Sequence, residues 1–370
     1  MNTKVAVRRC REYDLQDVYK LISDIYRSCE GPDVNNKKVL LKPNILVDSD
    51  PARCVSTNPV VVEAMIRFMQ DNGAVVFVGD SPSIHMRGFK CVKSGIYQVC
   101  EKTGATWVDF LKKPAEASLG NGKIRIASII KEVDLIISLP KFKNHELVYF
   151  TGAIKNTLGL VPGFTKAKQH ALHHDRDRFA AFLVDLTESV AQHFFLMDGI
   201  MGMEGPGPGQ GIPVKMELLI GSSNPVVLDI IATTIAGYDP MIIPTNSFAV
   251  ARGKWLRDPR DIVYDGPDIE TLIKKDFRRI PESAGEKSLK RFVINRINKI
   301  RRLQRRPVFI HKNCIGCKEC IKMCPMNAIV MHSVKKNYVV LTDRKCIRCF
   351  CCSEVCQSNA VVIRRKLIGV

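Results

Sequence analysis

Eight cysteines near the end of this 370-residue chain stand at one spacing that occurs twice. Each run reads C-x2-C-x2-C-x3-C, and the runs begin at Cys314 and Cys346. Three thiolates at i, i+3 and i+6 on a tight loop can cap three corners of a small iron–sulfur cube. The fourth corner must then be closed by a thiolate from elsewhere, and in this ligand pattern the fourth cysteine of each run binds the other cluster. The spacing therefore predicts two [4Fe–4S] clusters.

The crossed arrangement gives each cluster four ligands. One set is Cys314, Cys317, Cys320 and Cys356, and the other is Cys346, Cys349, Cys352 and Cys324. The segment resembles the two-cluster bacterial ferredoxins over its whole length, and the sequences NAIV and NAVV follow the two runs at the same offset. Gln357 replaces the second proline of that pattern, and Cys351 is an extra thiol beside a ligand. The alternative is a pair of zinc sites or disulfides, but zinc favours paired C-x2-C knuckles.

The remaining composition favours a reducing compartment. Five other cysteines are scattered upstream without pairing geometry: Cys10, Cys29, Cys54, Cys91 and Cys100. Cluster ligands must be thiolates, so we expect a cytoplasmic protein. The first residues lack the apolar core of a signal peptide, and no apolar run approaches the ~18 residues of a membrane helix.

The net charge of +19 is concentrated in one segment. Residues 274–306 hold thirteen Lys or Arg against three Asp or Glu, with apolar residues at helical spacing. This pattern predicts a basic amphipathic helix, which packs on a domain as a linker or docks an acidic redox partner or an anionic membrane surface. We do not expect nucleic-acid binding, because no recognition motif accompanies the charge.

Upstream of this segment, apolar strands alternate with helical patterns. Buried strands are predicted around 38–41, 75–78, 135–139 and 194–197, and helices around 15–29, 59–72, 89–102 and 177–193. Uninterrupted apolar strands between helices favour an α/β fold with a mostly parallel sheet and helices on both faces. The predicted organisation is an α/β domain over 1–272, the basic linker helix over 273–307 and a small α+β ferredoxin-type domain over 308–370.

Polar loops follow the carboxyl ends of these strands. That edge of an open α/β sheet is where ligands bind, so we expect the loops to form one site. Its candidate residues are Lys42, Asn44, Asp80, Lys141, Lys143, His145, Lys155, Asp198 and Glu204. The lysines predict an anionic substrate or cofactor.

Five motifs resemble the family catalogued as domain of unknown function 362. They are KPN at 42–44, GDS at 79–81, LPKFKNH at 139–145, TGAIKN at 151–156 and DGIMGMEGPG at 198–207. The resemblance covers about residues 1–260, and members of that family often carry a C-terminal ferredoxin module. It implies no particular activity.

A fainter similarity is to the nickel-pincer lactate racemases. It rests on His145, on Lys155 ten residues later and on His170. The resemblance implies a catalytic histidine, a lysine that anchors the pincer nucleotide and a histidine that ligates nickel.

Each candidate residue also has a structural alternative. His145 is a proton carrier or a packed loop residue, and Lys155, in a predicted first helical turn, is an anchor for an anion or a solvated side chain. Asp198 and Glu204 are a general acid/base pair or structural acids beside a flexible lid at 205–211. A metal cluster or an exposed polar turn explains His170, His173, His174, Asp175 and Asp177.

The leading hypothesis is an iron–sulfur protein that transfers electrons to or from an anionic ligand in the α/β pocket. A redox protein or a small electron donor would be its partner. The alternatives are a nickel-pincer-like isomerase with accessory clusters and a non-enzymatic electron carrier.

Overall fold

The computed structural model describes residues 2–83, 88–120, 122–173, 175–281, 305–332 and 338–365. It contains an α/β unit (2–281) followed by a C-terminal module (305–365). The predicted linker helix falls largely on residues 282–304, which lie outside the described residues. Residues 305–307, which we assigned to that helix, belong to the first strand of the module.

The α/β unit is built on a ten-stranded sheet. Its strands are β1 (Lys4–Arg9), β2 (Lys38–Pro43), β3 (Val75–Val78), β4 (Thr106–Trp107), β7 (Leu135–Leu139), β8 (Lys141–His145), β9 (Tyr149–Phe150), β10 (Phe194–Glu204), β11 (Ile212–Ser222) and β12 (Val263–Asp265). Strands β5 (Pro114–Leu119) and β6 (Gly122–Ala127) form a separate hairpin. The main strand order is β12-β1-β11-β10-β7-β2-β3-β4. The strands from β10 to β4 run parallel, whereas β11 is antiparallel to both of its neighbours. The predicted α/β class with a mostly parallel sheet is thus confirmed.

Helices cover both faces of this sheet. They are α1 (Leu15–Ser28), α2 (Pro59–Asp71), α3 (Ile96–Thr103), α4 (Gly152–Asn156), α5 (Phe164–Leu172), α6 (Arg176–Ser189), α7 (Pro225–Ile235) and α8 (Pro244–Arg252). Because neighbouring side chains of a strand point to opposite faces, Val39 and Leu41 pack with α1 to α3. Leu40 packs in the core on the other side, with α4, α6, α7 and α8.

Local signals place several of these elements. Asn58 caps α2 through the backbone N–H of Val60, and Pro59 occupies the first turn, a position that proline favours because its missing N–H needs no partner there. Two elements differ from expectation. Helix α3 begins only at Ile96, after a left-handed Gly95, and the polar segment 141–145 is a fully buried strand that pairs with β10.

The C-terminal module is a small α+β unit. It contains β13 (Arg305–Phe309), α9 (Glu319–Lys322), β14 (Ile329–Met331), β15 (Val339–Leu341), α10 (Cys351–Glu354) and β16 (Val361–Arg365). Strand β13 pairs with β16, and β14 pairs with β15, both antiparallel. The two cysteine runs lie in the loops and short helices between these hairpins. In the described part of the chain no helix is long and apolar enough to cross a membrane.

Candidate functional site

The two cysteine runs share one backbone conformation. Left-handed residues recur in pairs 32 positions apart: Gly316 and Arg348 (φ 71° and 62°), Lys318 and Phe350 (63° and 63°), and Asn327 and Asn359 (48° and 54°). A left-handed φ outside glycine is uncommon, so its repetition at matching positions shows that the same loop is built twice.

The cysteines of the two runs interleave in space. Cys320 interacts electrostatically with Cys314 and Cys317 of its own run and with Cys356 of the other. Cys346 interacts in the same way with Cys349 and with Cys324. The fourth cysteine of each run therefore lies near at least one of the first three cysteines of the other run.

Backbone donors reach these sulfurs. The N–H of Ala328 lies 3.2 Å from Sγ of Cys324, and the N–H of Ala360 lies 3.3 Å from Sγ of Cys356. Such hydrogen bonds stabilise thiolates and tune cluster potential. Among the described residues no three His, Cys, Asp or Glu side chains are arranged to hold a single metal ion. The two runs nevertheless supply cysteine thiols, which are the ligand type that iron–sulfur clusters require.

In the α/β unit, Lys42, Asn44 and Asp80 lie together at the carboxyl ends of β2 and β3. The Nζ of Lys42 is 2.9 Å from Oδ1 of Asp80 and 3.0 Å from Oδ1 of Asn156. Asn44 donates to the same Asn156 oxygen at 3.0 Å, and Asp80 accepts from the N–H of Ile45 at 2.6 Å. Burial lowers the pKa of Lys42, and the Asp80 carboxylate opposes that shift. The cluster ties two strand ends to α4.

Lys141 and Asp198 form a second buried pair, and Lys143 interacts electrostatically both with Lys141 and with Lys155 and Glu354. The Nζ of Lys141 is 2.7 Å from Oδ2 of Asp198, and the Tyr13 hydroxyl is 3.0 Å from Oδ1. Asp198 also accepts from the N–H of Asn58 at 2.9 Å. Lys143 donates to a backbone carbonyl at 2.6 Å, and burial lowers its pKa well below the usual value. These side chains organise the strand ends and do not line the cavity described below.

Glu204 does not pair with Asp198. It accepts from the N–H of Arg278 at 2.9 Å and lies 3.3 Å from that residue's guanidinium. The two acids are six positions apart on one strand, which corresponds to at most roughly 20 Å. The predicted acid/base pair is therefore not brought together, because each carboxylate is held by its own local partners.

A cavity of about 40 Å³ lies between the α/β unit and the C-terminal module. Its lining includes Asn44, Asp80, Lys155, Asn156, Lys166 and His170 from the α/β unit, and Met323, Cys351 and Glu354 from the module. No hydrogen bond or ion pair engages the Lys155 ammonium among the residues that the structure describes, although the side chain is only 8% exposed. Lys166 donates to the backbone carbonyl of Ser81, and burial lowers its pKa to about 8.

His145 lies beside this cavity and contacts the module. Its Nδ1 accepts the N–H groups of Leu147 and Val148 at 3.1 and 3.3 Å, so the ring proton lies on Nε2. That atom is 3.1 Å from Oε1 of Glu354. Burial and the nearby Lys155 lower the pKa of His145 to about 3. Burial alone would raise the pKa of Glu354, but His145 and the surrounding positive charges outweigh it and lower that pKa. The pair is a neutral imidazole that faces a carboxylate.

The other predicted histidines have packing roles. The His170 ring lies on Phe179 with centroids 4.3 Å apart, and burial lowers its pKa to about 4. His173 stacks on Phe182 at 4.6 Å, and Asp175 caps α6. His174 lies outside the described residues. The described members of the predicted metal cluster are thus not gathered around one ion.

The glycine- and proline-rich loop 205–211 contacts the module. Gln210 donates to the Ser353 carbonyl at 2.7 Å, to its hydroxyl at 3.0 Å and to the Val361 carbonyl at 2.7 Å. A Cβ at Gly209 would lie 2.3 Å from the Glu354 carbonyl oxygen. The loop that the sequence suggests as a lid therefore packs against the second cysteine run.

Sequence reasoning missed three cavity residues. Glu354 lies between two predicted cluster ligands, so its position in the second run was the available signal for a site residue. Asn156 follows Lys155 directly within the TGAIKN motif, and Lys166 lies in the first turn of α5. None of them could be assigned until the packing of the module on the α/β unit was known.

Comparisons with known proteins agree with this division of the chain. Residues 39–234 match the model of the family described as "Domain of unknown function (DUF362)". Residues 313–360 match the 4Fe-4S dicluster domain, so the C-terminal module is a ferredoxin-type iron–sulfur domain.

A curated relative and a solved structure are also similar. The thylakoid-associated protein sll1697 of Synechocystis is 33% identical over 252 residues, which cover 65% of this chain and 78% of that protein. The lactate racemase apoprotein of Thermoanaerobacterium thermosaccharolyticum is 15% identical with a TM-score of 0.37, and the match covers 52% of this chain and 50% of that one. The family match spans more than half of the sequence, and this chain therefore belongs to the DUF362 family.

Proposed function

We propose that this iron–sulfur protein binds two [4Fe–4S] clusters with crossed ligation and exchanges electrons with a small anionic ligand in the cavity between its two units. One cluster would be held by Cys314, Cys317, Cys320 and Cys356, and the other by Cys346, Cys349, Cys352 and Cys324. The observation that carries the proposal is the composition of the cavity wall. It combines lysines of the α/β unit with the ligand loop of the second cysteine run.

The charges of the cavity favour an anion. Lys155 has no charged partner within bonding distance in the described structure, and Lys166 is held only by a backbone carbonyl. Glu354 contributes one negative charge to the same wall, because its partner His145 is neutral, so the two lysines leave one positive charge in excess. Confined ammonium groups repel each other until an anion arrives, and a carboxylate or phosphate group would accept hydrogen bonds from both lysines.

The position of the second cysteine run favours electron exchange there. Cys351 and Glu354 line the cavity, and Cys351 stands between the predicted ligands Cys349 and Cys352. Electron tunnelling weakens steeply with distance, so a ligand beside this loop is well placed to exchange one electron at a time with its cluster. The fusion of both units in one chain keeps the effective concentration of the electron source high.

Two measurements test the cluster part of the proposal. Protein purified without oxygen should contain about eight iron atoms and eight acid-labile sulfides per chain. Cys324→Ala should damage the second cluster and Cys356→Ala the first, as read by electron paramagnetic resonance (EPR) of the reduced protein. Stoichiometric zinc or nickel, or damage by Cys324→Ala to the first cluster alone, would contradict it.

The ligand part is tested with inorganic phosphate and oxalate as probes. Binding is followed by calorimetry and by the EPR signal of the reduced second cluster. Lys155→Gln should weaken binding at least tenfold, while Lys168→Gln, which alters an exposed lysine on the same helix as Lys166, should leave it unchanged. Equal affinity in both variants would show that the anion does not bind in this cavity.

We further propose a reducing compartment, the cytoplasm, because exposed thiolate clusters do not persist under oxidising conditions. Cell fractionation that recovers the cluster-loaded protein only from an oxidising compartment would refute this.

A further inference from the structure

The two cysteine sets differ in their access to solvent. In the set around Cys314, which we name the outer site, Cys317 is exposed and Cys314 and Cys320 are half-buried. In the set around Cys346, which we name the inner site, Cys346, Cys349 and Cys352 are buried and Cys324 is half-buried, whereas Cys356 is the one buried member of the outer set. The inner site faces the cavity through Cys351. Among the described residues, the outer site is therefore the more accessible of the two to a second protein, through exposed Cys317.

The surface around the outer site is basic with an apolar centre. Ile315, between two predicted ligands, is 66% exposed. Lys312, Lys318 and Lys322 are exposed around it. The one acid in this stretch, Glu319, is 3.0 Å from the Lys322 ammonium, whereas the ammonium groups of Lys312 and Lys318 have no charged partner among the described residues.

Lys322 also borders an open groove of about 590 Å³ that reaches α5. The groove runs between the module and the α/β unit, and exposed Lys168 stands on its other side. The positive surface thus continues from the outer site along the groove, which offers space for protruding side chains of a partner.

We propose that the outer-site surface, formed by Lys312, Ile315, Cys317, Lys318 and Lys322, docks an acidic one-electron carrier protein. This inference rests on the proposed function. One electron leaves the reduced carrier and reduces the outer cluster by one electron, and it then passes to the inner cluster beside the cavity. Complementary charge steers such encounters and raises their rate, while Ile315 supplies an apolar contact at the point of closest approach.

The test uses the full cluster-loaded protein and a reduced plant-type [2Fe–2S] ferredoxin as the acidic carrier. The rate of cluster reduction is measured by stopped-flow absorbance at low and high salt. In the variant Lys312→Gln/Lys318→Gln/Lys322→Gln, we expect the second-order rate at low salt to fall at least tenfold and its salt dependence to flatten.

The matched control is Lys37→Gln/Lys38→Gln/Lys131→Gln. It removes the same charge from exposed lysines that precede β2 and β7, at the opposite edge of the sheet. This control should stay within twofold of the wild-type rate. Reduction by methyl viologen, a small cation, should not slow in either variant.

The outcomes separate this inference from the proposed function. If the cluster-loaded outer-site variant were reduced by the ferredoxin at the wild-type rate, or if the control variant were slowed equally, the docking surface would be wrong. The proposed function would not be affected by that result. If wild-type protein purified without oxygen contained no iron, both the docking surface and the proposed function would be wrong.

Discussion

The Nε2 atom of His145 in the α/β unit lies 3.1 Å from Oε1 of Glu354 in the ferredoxin-type module, and both side chains are buried. Because Nδ1 of His145 is occupied by two backbone N–H groups, the imidazole can only present an N–H to the carboxylate. The contact therefore fixes a negative charge between the inner site and the cavity. A ligand that binds at Lys155 and an electron that arrives at the inner site would both act on this one carboxylate.

We predict that Glu354→Gln raises the reduction potential of the inner cluster by tens of millivolts, because cluster potential depends on nearby net charge. The amide keeps the size of the side chain and removes only its negative charge. A redox titration followed by EPR measures the shift.

The outer cluster in the same Glu354→Gln protein serves as an internal reference, and Glu116→Gln, an exposed acid of the β5–β6 hairpin, controls for net charge. An equal shift of both clusters, or none of either, would show that Glu354 has no local effect on the inner site.

Gln210→Ala should loosen the module on the α/β unit. The side chain donates to three acceptors, the carbonyl and hydroxyl of Ser353 and the carbonyl of Val361. Each carbonyl keeps a second donor, the Cys356 N–H for Ser353 and the Ser353 hydroxyl for Val361, so the cost is that of the lost hydrogen bonds, about 0.5–1.5 kcal/mol each. Hydrogen exchange should then accelerate in residues 351–363, while the exposed substitution Gln98→Ala should leave that region unchanged. Unaltered exchange in Gln210→Ala would mean that the loop 205–211 does not secure the module.

The free energy of unfolding should fall at acidic pH, and part of this fall should come from the titration of His170. Burial lowers its folded pKa to about 4 from an ordinary value of 6.5. Between these values the unfolded chain binds a proton that the folded protein does not, so stability rises with pH across this window, by up to about 1.4 kcal/mol per pH unit. The neighbouring charges that act on the ring are those of Glu354, Lys155, Lys166 and His173.

His170→Gln should reduce the difference in urea midpoint between pH 5 and pH 7.5, measured without oxygen. The remaining acid sensitivity should come in part from His145, whose pKa is lowered further, to about 3. If the variant lost as much stability between these two pH values as the wild type, His170 would not contribute.

The periodicity and spacing of apolar residues predicted the layers of the fold. They did not predict how the C-terminal module packs against the α/β unit. The apolar runs at β2, β3 and β7 fixed a parallel sheet, and strand ends correctly located Lys42 and Asp80 beside each other. Segment 141–145 reads as a polar loop because nothing local reveals that Asp198 neutralises Lys141. The role of Glu354 could not be predicted for a related reason, since it depends on a contact with His145, which lies 209 residues earlier in the chain.

Gly152 combines a left-handed backbone with a close neighbour, so replacing it should be costly. It has φ +56°, and a Cβ there would lie 2.3 Å from Oδ1 of Asp229. That buried carboxylate accepts the N–H groups of Ala153 and Ile154 at 2.6 and 3.1 Å, so it holds the first turn of α4, which carries Lys155. Gly152→Ala must displace either the carboxylate or the helix.

Gly104→Ala is the matched comparison, because Gly104 also has a positive φ, +73°, but nothing lies within 4 Å of its Cβ position. Both variants incur the strain of a left-handed alanine, about 1–2 kcal/mol, and only Gly152→Ala adds overpacking of about 1–3 kcal/mol. Urea unfolding should therefore rank Gly152→Ala as the less stable variant, and phosphate affinity should fall in it alone as Lys155 shifts. Equal stability of the two variants would show that α4 adjusts freely, and that Asp229 does not fix the position of Lys155.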